Sequence, residues 1–347
     1  MKIGIVTFYN SPNYGSLLQA NALKILLSKY GEVFFIKIKI RNIWKKLLRR
    51  IVKRIITFRF RKCLFECNKL LSCYENIKKF NLIKIDEKSL KNIDLIIFGS
   101  DELWNIKRKE CQHLLLWGKG FENHRKISYA VSINNSMEND LYENNSPHEY
   151  LKTFDKIGVR DKHSQTVIQN VTERDVSLLL DPTFLLEPKD IMPLRPRKKI
   201  SNYIAVYSYA HQLNKDTAKM LQNIAKSLGK ELISLLDYLN WCNRNMAVAN
   251  PFAYYENADF VISSTFHGTA LAINFKKQFI VFFNNNIKIN ELLGEFNLSD
   301  RIADGLPENE LVNLINLKID YTVVEKVLNE KKLKSLDYLS SALKLGE

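Results

Sequence analysis

Short apolar runs alternate along this chain with stretches in which leucine, isoleucine and alanine recur every three or four positions. The first kind reads as strands buried on both faces, the second as helices with one apolar side. Strands are predicted at 2–9, 33–39, 93–98, 126–131, 156–159 and 176–180, with helices at 16–29, 43–58, 62–80 and 161–169. A second series places strands at 202–208, 231–236, 259–263 and 278–283, and helices at 214–228, 251–257, 268–275 and 287–294. Between the two series Pro182, Pro188, Pro193 and Pro196 fall close together and read as a linker, because proline and the residue before it resist helix. The alternation predicts an α/β chain of two Rossmann-like, doubly wound domains. These are residues 1–185, with 37–62 as an insertion, and residues 186–319; residues 320–347 form a long amphipathic helix expected to return to the first domain.

At 347 residues, 46% hydrophobic and 26% charged, the chain has the composition of a globular protein with two medium cores. No apolar run approaches the roughly 18 residues that cross a bilayer, and the chain enters a strand pattern at once, without a secretory leader. A cytoplasmic location is expected. The five cysteines, Cys63, Cys67, Cys73, Cys111 and Cys242, are odd in number and lack a CxxC pair, which fits reduced thiols and no metal site.

Charge changes the picture in one place. The net charge is +15, and residues 37–62 carry 12 lysines and arginines with no acid, leaving +3 for the rest. Over 43–58 isoleucine, leucine and tryptophan repeat at helical spacing with basic residues in the gaps, which predicts a helix lying on an anionic membrane surface. A helix packed on the core with a solvated basic face is the other reading. Nucleic acid is not expected as a partner, since aromatics are not interleaved with the charges.

Candidate chemistry sits where strands give way to helices. In ADFVISSTFHGTAL (258–271) a buried strand delivers Ser264 and Thr265 to its end, and Gly268 and Thr269 open the next helix, an arrangement that can cradle an anion beside His267. Asn13, Tyr14, Gly15 and Ser16 occupy the equivalent turn after the first strand. FGSDELWN (98–105) puts Ser100, Asp101, Trp104 and Asn105 on the same rim: Asp101 is a candidate base for a hydroxyl, and Trp104 a flat face for a sugar. Arg160 ends another strand, where a guanidinium can clamp a carboxylate or phosphate. Asp181 reads as a turn-former ahead of the linker. The GxxxxGK[ST], GxGxxG and GxSxG signatures are absent, which argues against nucleotide hydrolysis, dinucleotide redox and serine hydrolase chemistry.

Together these pieces resemble the polysaccharide pyruvyl transferase family. GIVTFYNSPNYGSLLQANAL, FGSDELWN, RKISYAVS, VRDKHS, LLDPTFLL and ADFVISSTFHGTALAINFKKQFI occur in family order, over residues 3 to about 301. The resemblance implies a fold similar to GT-B glycosyltransferases and transfer of pyruvate from phosphoenolpyruvate to a sugar as a ketal, with no further cofactor. It implies an acceptor that is a lipid-linked oligosaccharide or polysaccharide precursor, handled at the inner face of the membrane. His267 is then expected as general acid or phosphate stabiliser, with Asp101 and Arg160 completing the catalytic set. Ser264, Thr265, Gly268, Thr269 and Lys288 would hold the donor; Asn13, Tyr14, Gly15, Ser16, Ser100, Trp104 and Asn105 would shape the acceptor side. Two positions depart from the pattern: Thr265 stands where some relatives carry arginine, and Lys288 where many do. A nucleotide-sugar glycosyltransferase and a non-catalytic, membrane-associated glycan-binding protein are the alternatives.

Overall fold

The computed structural model describes residues 1–38, 49, 51–53, 55–78, 82–84, 90, 92–143, 146–191, 200–246, 251, 253–283 and 285–344. The first lobe is built on seven parallel strands: β1 (Lys2–Val6), β2 (Glu32–Lys37), β3 (Leu82–Lys84), β4 (Leu95–Asp101), β5 (Lys126–Val131), β6 (Ile157–Val159) and β7 (Val176–Leu178). Their order is β3-β2-β1-β4-β5-β6-β7, so the winding reverses between β1 and β4. Ile3 pairs with Leu95 and Val6 with Phe98, which brings the carboxyl ends of these two strands level. The second lobe holds β8 (Tyr203–Tyr207), β9 (Glu231–Ser234), β10 (Arg244–Asn245), β11 (Phe260–Ser263) and β12 (Phe279–Val281) in the order β10-β9-β8-β11-β12. Its reversal lies between β8 and β11, with Ser263 opposite Tyr207.

The strand pattern explains the layers. Alternate residues go to opposite faces, so Ile96 and Phe98 pack with Trp104, Trp117 and Phe154 while Leu95 and Ile97 enter a second cluster. That second cluster continues into the other lobe through Tyr203, Ala205, Tyr207 and Val261, giving the lobes one shared core. Helix α1 (Tyr14–Leu27) contributes Leu17, Leu18 and Leu23 to it. The later helices are α2 (Phe60–Ile77), α3 (Lys162–Thr172), α4 (Lys215–Ser227), α5 (Phe266–Asn274), α6 (Ile287–Glu295), α7 (Glu308–Asn316) and α8 (Tyr321–Lys344). Helix α8 buries Val324 and Leu328 in the shared core, then crosses to the first lobe. There the Tyr338 hydroxyl donates to the Ser128 carbonyl at 2.8 Å and Ser335 Oγ accepts from the Leu180 amide at 3.0 Å.

Two short strands have no counterpart in the sequence pattern. β3 and β10 are three and two residues long, too brief for an alternation to register. Much of the expected helix 43–58, namely 43–48, 50 and 54, lies outside the described residues. Within its described part Ile51 faces inward and Val52, Ile55 and Ile56 face outward. No described helix is long and apolar enough to cross a membrane.

Candidate active site

The two reversal points face each other across a cavity of about 170 Å³ lined by Asn13, Asp101, Glu102, Arg108, Arg160, Tyr207, Tyr209, Gln212, Leu236, Ser264, Thr265, Phe266, His267, Asn286 and Lys288. A larger hollow of about 1130 Å³ lies between α3 and α8 at the far edge of the first sheet. Its lining is surface side chains such as Lys156, Arg174 and Lys334, with no strand-end chemistry. Ligands in open α/β sheets collect at reversal points, so the smaller cavity is the candidate site.

On the first lobe, α1 begins at the cleft. Asn13 caps it, its side chain accepting from the Gly15 amide at 3.0 Å. One turn on, Ser16 Oγ donates to Asp101 Oδ2 at 2.7 Å. Gln19, fully buried, ties the floor together: Nε2 donates to Thr7 Oγ1 at 3.0 Å, and Oε1 accepts from Ser100 Oγ at 2.6 Å. Asp101 ends β4 at a φ of 81°, a conformation uncommon for a residue with a Cβ and one that concentrates at functional sites.

Arg160, at the end of β6, is the electrostatic centre. Its Nη1 donates to Asp181 Oδ2 at 3.0 Å and its Nη2 to Asp101 Oδ1 at 3.3 Å. The Phe266 ring of the second lobe covers it, 4.5 Å from guanidinium carbon to centroid. Burial alone would raise the Asp101 pKa, but Arg160, His267 and the Ser16 hydrogen bond outweigh it and hold this carboxyl well below the usual range. Asp101 therefore stays ionised and is a weak base. Burial opposes the Arg160 charge, and the surrounding carboxylates restore and strengthen it.

On the second lobe Thr265 caps α5, its Oγ1 accepting from the Gly268 amide at 3.0 Å. His267 follows in the first turn, where the helix dipole adds partial positive charge. Its Nε2 lies 3.9 Å from Asp181 Oδ2, its ring meets Phe266 edge to face, and its other side abuts Gly15. Burial lowers its pKa more than Asp181 and Asp101 raise it, so the imidazole is held neutral. Arg160 Nε and His267 Nε2 are both buried without a hydrogen-bond partner among the described residues.

Some expected residues take other places. Trp104 is fully buried, stacked on Trp117 at 5.8 Å, with its indole nitrogen bonded to the Leu116 carbonyl. It is a core residue without a face for a sugar. Tyr14, Ser100 and Asn105 are also buried, behind the cavity rather than on its lining. Gly268 is needed for close approach instead of anion contact: a Cβ would stand 2.5 Å from Ser263 Oγ and 2.7 Å from Tyr207 Cδ1. Thr269, fully buried, bonds within the same turn. Ser264 lines the cavity with its Oγ 2.6 Å from both Ser208 Oγ and Gln212 Oε1. Lys288 reaches across to Glu102 and is paired there. Asp181 does form a turn, accepting from the Thr183 amide at 3.1 Å, and also holds Arg160.

Sequence reasoning missed Glu102 and Arg108. Glu102 gathers Lys288 from the opposite lobe, the Asn134 side chain at 3.1 Å and Arg108 at 3.8 Å. Burial works to raise its pKa, and Lys288 brings it below the ordinary value. The Arg108 side chain is 45% exposed, so of the cations lining the cavity it is the most open to a ligand. The basic run Lys107–Lys109, one residue beyond FGSDELWN, was the available signal. Among the described residues no group of three histidine, cysteine or acidic side chains could hold a metal ion.

Comparison with known proteins agrees with this architecture. The structure of UDP-GlcNAc 2-epimerase from Neisseria meningitidis bound to UDP-GlcNAc superposes with a TM-score of 0.55 at 10% identity, over 99% of each chain. A putative UDP-N-acetylglucosamine 2-epimerase from Listeria monocytogenes gives 0.59 at 8% identity, over 99% of this chain and 95% of that one. Arabidopsis thaliana UGT89C1 complexed with UDP-L-rhamnose gives 0.55 at 9%, over 99% and 98%. These similarities establish the GT-B-like fold of two Rossmann-like lobes. A search of curated protein sequences gives no significant match. A family model, described as polysaccharide pyruvyl transferase, matches residues 13–286, from the cap of α1 to the cap of α6, and so takes in both sides of the cleft. The chain thus belongs to the polysaccharide pyruvyl transferase family, a family of transferase enzymes.

Proposed function

We propose that the chain transfers pyruvate from phosphoenolpyruvate to two hydroxyls of one sugar in a polysaccharide precursor, closing a cyclic ketal and releasing phosphate. The observation that carries this reading is the pair of buried, unpartnered nitrogens, Arg160 Nε and His267 Nε2, one from each lobe, in a cleft also lined by Arg108. The donor brings a carboxylate and a phosphate, and buried donors of this kind favour a charged acceptor. In the first step one sugar oxygen bonds to the enol carbon as its hydroxyl proton passes to a base, and the methylene carbon gains a proton. In the second, another sugar oxygen displaces phosphate, which leaves with the bonding electron pair while the hydroxyl proton is lost to phosphate or a base. A neutral imidazole at His267 can take up a proton as the dianionic donor arrives and deliver it. Asp101 and Asp181 orient Arg160, the buried Ser16 holds Asp101, and Asn13 shapes the acceptor side.

The acceptor in this reading is a lipid-linked oligosaccharide or polysaccharide precursor at the cytoplasmic face of the membrane, reached through attachment of residues 43–58 to anionic lipid. The test is incubation with labelled phosphoenolpyruvate and lipid-linked glycans, followed by mass analysis for added pyruvate; no transfer to any acceptor would overturn the reading. Glycosyl transfer from a nucleotide sugar is the second reading, favoured by fold neighbours whose structures hold UDP-GlcNAc or UDP-L-rhamnose. Thermal protection separates the two: a ligand at a hundredfold its Kd stabilises by about 2.7 kcal/mol. Protection by phosphoenolpyruvate and not by UDP-sugars supports the first.

A further inference from the structure

Helix α2 carries two apolar faces. The inner one buries Phe65, Cys73 and Ile77. On this side Lys69 donates to the Leu236 carbonyl at 2.7 Å and lies over the rings of Tyr14 and Tyr209, which fastens the helix to the rim of the cleft. The outer face is a stripe at heptad spacing, Phe60, Leu64, Leu71 and Tyr74, with Leu64 64% and Leu71 61% exposed. The turn before α2 adds Ile56 and Phe58, 69% and 80% exposed, and the Phe58 and Phe60 rings meet edge to face at 5.9 Å. Large apolar side chains exposed in such number along one side of a helix point to an interaction surface.

Charge identifies the occupant. Among the described residues of 49–78, Arg49, Lys53, Arg59, Arg61 and Lys78 are exposed, against one exposed acid, Glu75. Two copies brought together through it would set like charges against each other, whereas an anionic lipid surface matches both the cations and the aromatic and aliphatic stripe.

We propose that α2 and the turn before it form a platform that lies on an anionic bilayer and holds the cleft one helix thickness, about 10 Å, from the lipid. The platform takes in the end of the basic segment at Ile56 and Phe58 and extends it by the outer face of α2. Its link to a lipid-carried acceptor rests on the proposed pyruvyl transfer; the binding itself does not.

The experiment is flotation of the full chain with phosphatidylcholine vesicles, with and without phosphatidylglycerol. The wild type is expected to float with the anionic vesicles only and to be released by salt. The exposed-site variants Leu64→Ser/Leu71→Ser and Phe58→Ser/Phe60→Ser, checked for an unchanged unfolding midpoint, are expected to partition at least about tenfold less, since each withdraws two apolar side chains from the lipid. Arg59→Glu/Arg61→Glu is expected to do the same. Failure of the wild type to bind, binding by the variants equal to wild type, or a dimer dissolved by Leu64→Ser/Leu71→Ser would overturn the platform. Pyruvyl transfer to a soluble acceptor without flotation would sink the platform alone; flotation without protection by phosphoenolpyruvate would sink only the transfer reading.

Discussion

Gly15 of the first lobe and His267 of the second meet so closely that a Cβ on the glycine would stand 2.4 Å from the imidazole Nδ1. The first turn of α1 is thus the wall against which the imidazole rests. Gly15→Ala must shift the ring or part the lobes. Alanine is itself a better helix former than glycine by about 1 kcal/mol, so the variant is expected to fold with little loss of stability. A displacement near 1 Å costs on the order of a hundredfold in rate. Transfer rate and unfolding midpoint measured together check this: a full-rate Gly15→Ala enzyme would show that the contact does not position the ring.

His267→Ala is expected to lower the transfer rate by on the order of a hundredfold or more while the chain stays folded. The pH dependence has a definite sign. The fold keeps the imidazole neutral by lowering its pKa, while the unfolded chain protonates near the ordinary value of about 6.5. Below that pH the unfolded state binds more protons, so the wild type loses stability as pH falls, and His267→Ala removes that part of the slope. On the proposed reading, binding of the anionic donor is expected to move the pKa back up. Calorimetry in buffers of different ionisation enthalpy is expected to record proton uptake with wild type and less with His267→Ala.

Arg160 is as much a fold residue as a site residue. Its guanidinium joins Asp101 to Asp181 with both carboxylates nearly sealed from water. Arg160→Ala leaves two buried charges without their partner and is expected to destabilise by about 3–5 kcal/mol. Arg160→Lys keeps a charge but cannot make both contacts in a planar fork, so it is expected to be intermediate. Denaturant unfolding checks the order. Equal stability of all three proteins would mean that the pairing contributes nothing net.

The strand, turn and helix units on both sides of the cleft were legible because their signals are local: a buried run, a capping residue at Asn13 or Thr265, then helical spacing. The residues that finish the site were not, because their partners come from elsewhere in the chain. Gln19 reads as a stray polar residue in a leucine-rich helix until folding sets it against Thr7 and Ser100. Glu102 acquires its role only when α6 delivers Lys288 from the other lobe. Trp104 misled for the same reason, since a tryptophan at a strand end suggests a sugar platform and nothing local reveals Trp117 and Phe154 closing over it.

Trp104→Ala therefore tests packing. Removing a fully buried indole, with its hydrogen bond to Leu116, is expected to cost about 3–5 kcal/mol. Trp104→Phe retains most of the volume and is expected to cost less. KM for the acceptor is expected to be unchanged in Trp104→Phe, measured well below its unfolding midpoint. A selective rise in that KM would return the residue to the acceptor site.

Arg108 carries the remaining cation prediction. Arg160 is committed to two aspartates and Lys288 to Glu102, so neither charge is released without breaking a buried pair. Arg108 sits 3.8 Å from Glu102 with its guanidinium 5.5 Å from the Phe8 ring centroid, and it lines the cleft with its side chain 45% exposed. Arg108→Ala is expected to leave stability nearly unchanged and to raise KM for phosphoenolpyruvate about tenfold or more, the scale of one charge-assisted hydrogen bond at roughly 1.5–3 kcal/mol. Arg108→Lys should recover part of the loss, because a point charge reaches the anion without the bidentate fork. Glu102→Gln acts in the opposite sense: it removes the carboxylate that holds Lys288 and competes for Arg108, so donor binding to the free enzyme is expected to tighten. Titration calorimetry with phosphoenolpyruvate reads both effects. An unchanged affinity in Arg108→Ala would leave donor recognition to Arg160 and His267 alone.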